Sequence, residues 1–250
     1  MDNDRIKFPI LVLQSSLFCN PVLAMDGRIP LTFIGSWGFK DSTFPANAQA
    51  NRDSSLAHHA LASFILVTPD VALDMAANLP AAAQLPVMTL LQSREVHWVQ
   101  KVDVCKPLAV YSVGGFYYDL ADVKIARSVE PLREAGLVLH SGWGTEVVEA
   151  DILGGRKQDP RLLDLMARCA KAALRALPSA YPSTTILRTT GPGMWSRWAE
   201  EHGLCGRVLS NRYARTKVPG TREVSWGAVH RSANAFFEIR HAQSWVDSIL

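Results

Sequence analysis

VQKVDVCKPLAVYSVGGFYYDLAD, residues 99–122, runs from a helical pattern through two glycines into an aromatic, β-prone segment that meets an acidic residue at once. The helical pattern spans Val99 to Val113, and Gly114-Gly115 stands where a helix C-terminus places glycine. Pro107 removes a backbone donor and clashes with the preceding turn, so two forms remain open: a helix kinked there, or one that becomes regular near Lys106. Phe116-Tyr117-Tyr118 then reads as a strand ending on Asp119.

The same alternation continues on both sides. Upstream, Ile29 to Trp37 (IPLTFIGSW) has the character of a first buried strand, and Ala60 to Val67 (ALASFILV) is a second apolar run closed by Thr68-Pro69-Asp70. From Asp70 to Leu79, Val71, Met75 and Leu79 recur at helical spacing before Pro80. Downstream, Asp159 as N-cap and Pro160 at the first helical position open a helix. One face of it carries Leu162, Met166, Cys169, Ala173 and Leu177, widened by Leu163, Ala170 and Leu174. A shorter helix is expected from Met194 to His202, ended by Gly203. Strands alternating with helices at this spacing indicate an α/β sheet with crossover helices.

Composition bounds the function. With 250 residues, 48% of them hydrophobic, the chain can bury a sizeable core without disulfides or metals. A formal charge of +3, from 26 Lys+Arg against 23 Asp+Glu, is too small an excess to argue for a nucleic-acid partner, although it suits a phosphate-bearing ligand. Cys19, Cys105, Cys169 and Cys205 are dispersed, which excludes a structural zinc cluster; Cys105 and Cys169 read as small buried hydrophobes. No run reaches the ~18 apolar residues of a membrane span. Residues 1–28 form an N-terminal extension that reads either as a worn signal peptide, with Arg5 and Lys7 before an apolar stretch, or as a β-rich opening segment.

Asp119 and Asp122, placed just past a hydrophobic strand and a glycine pair, suit a hard divalent cation, which takes one or two protein carboxylates and completes its shell with water and phosphates. A solvated turn capped by Asp119 accounts for the same residues without chemistry. Asp103 and Lys106, three apart on one helical face, are either a shared recognition pair or an exposed ion pair. No G-x-G-x-x-G or P-loop pattern occurs, which disfavours an unrelated nucleotide-binding protein.

DVCKPLAVYSVGGFYYDLADV (103–123) resembles the segment S-D-x-x-R-Y-x-x-L-Y-x-x-G-G-I-Y-x-D-x-D. That segment marks the DXD-containing sugar-transfer family of the fungal initiating α-1,6-mannosyltransferases and their bacterial relatives (glycosyltransferase family 32-like), distantly akin to the clostridial glucosylating toxins. Three further stretches resemble the family in the same order. Ile29-Pro30 through Ser36-Trp37 is similar to its I-P-K-I-I-H-Q-S-W, Thr190-Gly191-Pro192-Gly193 to its T-G-P loop, and His241-Ala-Gln-Ser244-Trp245 to its closing H-x-x-S-W.

The resemblance implies a single GT-A type domain over residues 29–250, with a Rossmann-like mixed sheet flanked by helices. It also implies a metal-dependent, retaining transfer of a hexose from GDP-mannose or a UDP-hexose to a glycan or other acceptor. Carried onto this chain, it makes Asp119 and Asp122 catalytic and metal-binding, with His241 as a further ligand of Mn2+ or Mg2+. Trp37 would stack on the base or, on its residue type alone, fill the core. Asp103 would accept hydrogen bonds from sugar hydroxyls and Lys106 would offer charge to sugar or phosphate. Gly114, Gly115, Tyr118, Thr190, Gly191 and Pro192 would complete the donor site, with Ser244 and Trp245 closing over it. Gly191 and Gly193 would bring backbone close to the ligand or simply make a tight turn. Family members often act in the Golgi lumen; in a bacterium the address would be the cytoplasm.

The chain also departs from the pattern. D-x-D is here Asp119-Leu120-Ala121-Asp122, and on an extended strand D-x-x-D would send the carboxylates to opposite faces unless the chain bends directly after Asp119. The Arg-Tyr pair is Lys106-Pro107, which loses the guanidinium fork, and His-Gln is Ile34-Gly35. These changes keep open a second class of function, a degenerate relative that binds sugar or a protein partner without catalysis.

Overall fold

The protein is described by a computed structural model covering residues 27–40, 43–141, 148–176, 182–204, 208–209 and 236–239. The extension to residue 26, Cys19, Cys205, Leu177, His241, Ser244 and Trp245 lie outside the described residues.

β1 (Thr32–Ser36) is the hub of the sheet, because its β-branched and aromatic residues lie between two neighbours and are buried from Phe33 onward. It runs parallel to β2 (Ser63–Val67) on one side and to β3 (Gly115–Tyr118) on the other. Beyond β3 come β6 (Val148–Gly155), antiparallel to it, then β5 (Leu137–Ser141) and the short β7 (Val208–Leu209). β4 (Val123–Ile125) and β8 (Phe237–Ile239) form a separate antiparallel pair.

The order β2-β1-β3 has a consequence for function. α1 (Ala46–Ala57) carries the chain from β1 outward to β2. Then α2 (Pro69–Ala77), α3 (Ala81–Gln92) and α4 (Trp98–Val113) carry it back across β1 to β3. The connection after β1 thus leads to β2 on one side, while the connection after β3 leads toward β5 and β6 on the other, and the crevice outside the carboxyl ends of β1 and β3 is where open α/β sheets bind ligands.

Each face of the sheet packs its own core. Ile34, Tyr117, Leu139 and Leu153 meet α2 to α4, α5 (Pro160–Arg175) and α7 (Pro192–Glu201) on one side; Phe33, Phe116, Tyr118 and Ile152 meet α1 and β4 on the other. The strict alternation of Phe116, Tyr117 and Tyr118 between these two cores follows from the strand period of two.

α4 settles the Pro107 question. The helix is continuous from Trp98 to Val113, capped by His97, and Pro107 neither starts nor ends it. Val104, Cys105, Leu108, Ala109 and Val110 around the proline are fully buried. Burying such side chains contributes about 1.5–3 kcal/mol each for the larger ones, which outweighs the ~3 kcal/mol cost of an internal proline. α5 (Pro160–Arg175) begins as its sequence indicates, with the Asp159 carboxylate accepting from the Arg161 N–H at 2.9 Å and Leu162, Met166, Cys169 and Ala173 facing the core.

Other boundaries shift. β1 and β2 are shorter than the apolar runs that contain them, and Ala62 is drawn into a turn by its N–H bond to the His59 carbonyl. α2 starts at Pro69 behind a Thr68 cap and stops at Ala77. α7 (Pro192–Glu201) starts two residues early because Pro192 fits its first position. α1, α3, α6 (Pro182–Thr189), β4, β5 and β6 carried no signal strong enough to single them out.

Gly114 and Gly115 both sit at positive φ, +72° and +119°, and make the reversal from α4 into β3. A Cβ on Gly115 would lie 2.2 Å from the Thr32 carbonyl oxygen, inside the β1–β3 pair. Gly115→Ala is therefore expected to destabilise the protein by about 3 kcal/mol or more, from backbone strain and overpacking together. Urea denaturation measures this, and a loss below about 1 kcal/mol would show that β1 and β3 tolerate a wider separation.

Candidate active site

At the carboxyl end of β3 the strand period puts Tyr117 and Asp119 on one face, toward α4. One helical turn in α4 puts Asp103 and Lys106 on the face that meets them. The Lys106 ammonium lies 3.1 Å from Asp103 Oδ1 and 3.1 Å from each oxygen of Asp119. The Thr190 hydroxyl donates to Asp103 Oδ2 at 3.0 Å, and the Tyr117 hydroxyl donates to Asp119 Oδ1 at 3.3 Å. Tyr117 also shares a 2.7 Å hydrogen bond with Ser36 at the end of β1. A continuous polar chain thus runs from the start of α7 to the tip of β1.

Asp103 and Lys106 are not the exposed pair that their spacing allowed. Their side chains are only 7% and 5% accessible, while that of Asp119 is 28% accessible, so this chain of groups meets solvent at Asp119. Burial pushes the Asp103 carboxyl upward despite the Lys106 charge and the Thr190 hydrogen bond. Burial also pulls Lys106 down, but Asp119 and Asp103 outweigh it and hold the ammonium well above the ordinary lysine range. The Asp119 carboxyl is pushed up to about 6, chiefly by burial, with Lys106 opposing and Asp151 adding like-charge repulsion.

The chain does bend directly after Asp119. The N–H groups of Asp122 and Val123 both donate to the Asp119 carbonyl, at 3.0 and 2.8 Å, while the Asp119 N–H remains tied to the Asp151 carbonyl of β6. α1 clamps this turn from outside: Asn51 donates to the Leu120 carbonyl at 2.7 Å and Asn47 to the Ala121 carbonyl at 3.0 Å. Leu120, the added residue of the longer spacing, is buried over Gly35, where a Cβ would stand 2.3 Å from its Cγ. The longer acidic spacing and the glycine at position 35 thus fit one another. The turn returns the Asp122 N–H to the Asp119 carbonyl at the strand end, and Asp122 is half-buried. Among the described residues no three His, Cys, Asp or Glu side chains gather as a metal set.

The structure brings Asp103, Lys106, Asp119 and Thr190 together, with Asp122 on the turn that follows, and it sets Trp37, Tyr118, Gly114, Gly115, Gly191 and Pro192 elsewhere. Trp37 follows β1, half-buried at the edge of the second core, edge-on to Phe44 at 5.5 Å, with its indole N–H donated to the Thr43 carbonyl. Tyr118 is fully buried on the opposite face of β3, hydrogen-bonded to Ser55. Gly114 and Gly115 stand at the far end of β3, packed against Pro30 and Thr32. Thr190 is fully buried behind Asp103, and Gly191 and Pro192 start α7, with Gly191 against Leu187 of α6.

Residues that sequence reasoning passed over also sit here. Tyr117 and Ser36 complete the polar chain, and the i, i+2 relation of Tyr117 to Asp119 was a signal available in the strand. Behind the acidic turn, His140 of β5 and Asp151 of β6 form a buried pair at 2.7 Å. Nothing in LVLHS or VEADILGG marks that pair, since a strand bulge aligns it.

Lys106→Met is expected to leave two inward carboxylates without their counter-charge and to cost about 3–5 kcal/mol in urea denaturation. A change within about 1 kcal/mol would mean that the carboxylates find other partners. Asp119 carries a pH signature. Its folded value of about 6 exceeds the unfolded value of about 4. Its contribution to stability is therefore fully present below about pH 4 and lost as the pH rises through about 6. In metal-free protein, Asp119→Asn should flatten the wild-type decline in stability across that window, and an unaltered slope would assign the decline to other groups.

No family model matches the chain. Inositol phosphoceramide mannosyltransferase 3 of Schizosaccharomyces pombe is 26% identical over 158 residues, which cover 60% of this chain and 39% of that protein. Among solved structures, the PaToxG glycosyltransferase superposes with a TM-score of 0.52 at 10% identity, over 70% of this chain and 69% of that one. The UDP-bound glycosyltransferase domain of the YGT toxin gives a TM-score of 0.41 at 10% identity, over 64% and 54% of the two chains. At such identity the first of these speaks for the fold alone: a mixed α/β sheet flanked by helices, similar to GT-A glycosyltransferase structures.

Proposed function

We propose that this protein is a GT-A type glycosyltransferase that moves a hexose from a nucleotide sugar to a glycan or other acceptor. The observation that carries the proposal is the position of Asp119. Its carboxylate is held by Lys106 and Tyr117, opens to solvent, and stands at the carboxyl end of β3 beside the end of β1, where the strand order reverses. The partial likeness to a fungal mannosyltransferase supports a sugar-nucleotide substrate, with GDP-mannose or a UDP-hexose as donor.

In this reading Trp37 contacts the base from the end of β1. Lys106 orients Asp119 and gives its charge to the two carboxylates rather than to the donor. Asp103 and Thr190, buried behind it, act as positioning residues. The donor chemistry at the turn fits a hard cation, because Asp119 and Asp122 supply oxygen ligands on a clamped backbone. Those two residues, with His241, would hold Mn2+ or Mg2+, which when bound would supply positive charge to the departing diphosphate. Retention of configuration would follow from attack on the face that the leaving group vacates, with no protein nucleophile assigned.

A second reading, a binding relative without catalysis, draws on the engagement of both Asp119 oxygens by Lys106. One experiment separates the two. Thermal shifts with UDP, GDP and their sugars, with and without manganese, should show metal-dependent stabilisation by one nucleotide, about 2.7 kcal/mol at a hundredfold excess over Kd. Asp119→Asn should then lower donor hydrolysis or transfer by about two orders of magnitude or more, the scale of a lost electrostatic group. Stabilisation by a nucleotide sugar with no turnover in the wild type would favour the binding relative.

A further inference from the structure

Away from the acidic turn, α5 and α7 meet along a face of a different chemistry. Arg168, Lys171 and Arg175 recur at helical spacing on α5, and Arg197, Trp198 and Glu201 face them from α7 across a hollow of about 310 Å³. The single acid on that lining is taken: Glu201 pairs with Arg168, which also pairs with Asp164. Lys171, Arg175 and Arg197 are exposed and have no acidic partner among the described residues; Arg197 donates only to the Arg188 carbonyl. Trp198 lines the hollow but is fully buried, so the groups that can meet a ligand there are the exposed cations. Three uncompensated cations around one hollow favour an anionic oxygen.

We infer that the hollow between α5 and α7 is an anion site that takes a phosphodiester. Guanidinium forks on Arg175 and Arg197 match phosphate oxygens two at a time, and Lys171 adds a point charge. The C-terminal end of α5 opposes an anion with roughly half an elementary charge, which the three full cations exceed. None of these residues belongs to the Asp103–Lys106–Asp119 group, so the site does not depend on the glycosyltransferase reading.

The test is binding of glycerophosphoinositol by calorimetry and co-sedimentation with phosphatidylcholine vesicles with and without phosphatidylinositol, each at low and high salt. The wild type should bind at least one phosphate-bearing probe, more weakly as salt rises. A combined Lys171→Ala/Arg175→Ala/Arg197→Ala variant, which changes exposed side chains only, should lose about tenfold or more in affinity. Binding of the soluble diester assigns the site to a free ligand, and binding of the phosphatidylinositol vesicles alone assigns it to a lipid headgroup. Wild-type protein that binds neither probe, or a combined variant that binds as the wild type does, overturns the inference.

Discussion

The Lys106 ammonium is the point on which this structure closes. It is buried between Asp103 of its own helix and Asp119 of the neighbouring strand, so one cation answers two carboxylates from two elements. An ion of this size brought out of water costs several kcal/mol even after relaxation, and it is tolerated only with good geometry and further hydrogen bonds. Thr190 and Tyr117 supply those further bonds. The group retains one net negative charge, and the structure places it at the solvent edge, on Asp119. A lone ion pair would have left no such excess. The same arrangement that makes the interior tolerable therefore presents an anionic oxygen at the crevice.

Topology makes that closure possible. α4 and β3 are consecutive, joined by two glycines that reverse the chain within the width of one residue pair, so Asp103, Lys106 and Asp119 need only a local turn to meet. The parallel pairing of β1 with both β2 and β3 then sets their carboxyl ends side by side. The acidic turn is fixed from three directions: β6 holds the Asp119 N–H, α1 holds the carbonyls of Leu120 and Ala121, and Gly35 leaves room for the Leu120 side chain. On an extended strand, the D-x-x-D spacing would send the two carboxylates to opposite faces. Here Leu120 becomes a packing residue, and the backbone folds around it.

The elements legible in the sequence share a physical property: their stabilising pattern lies within the segment. α5 declares itself through its cap, its first-position proline and its apolar stripe, and β3 through three aromatics between glycines and an acid. β5, β6, α1 and α3 lack such marks. Their residues are specified by what packs on them, as with α1, whose asparagines serve the turn far along the chain. α4 shows the opposite case, where Pro107 advertises a break that core packing on several sides overrides.

For the site, local spacing determined that Asp103 and Lys106 share a helical face, and that Tyr117 shares a strand face with Asp119, because helix and strand periods act over a few residues. Local spacing likewise determined the α/β class. Whether Asp119 and Asp122 diverge or return was undecided by spacing alone, since a bend after Asp119 depends on partners in α1, β1 and β6. Only the tertiary structure decided that the ion pair is buried rather than solvated, that Thr190 stands behind Asp103, and that Tyr118 belongs to the opposite core. Burial and charge compensation are properties of what surrounds a residue, and those surroundings come from segments tens of residues away.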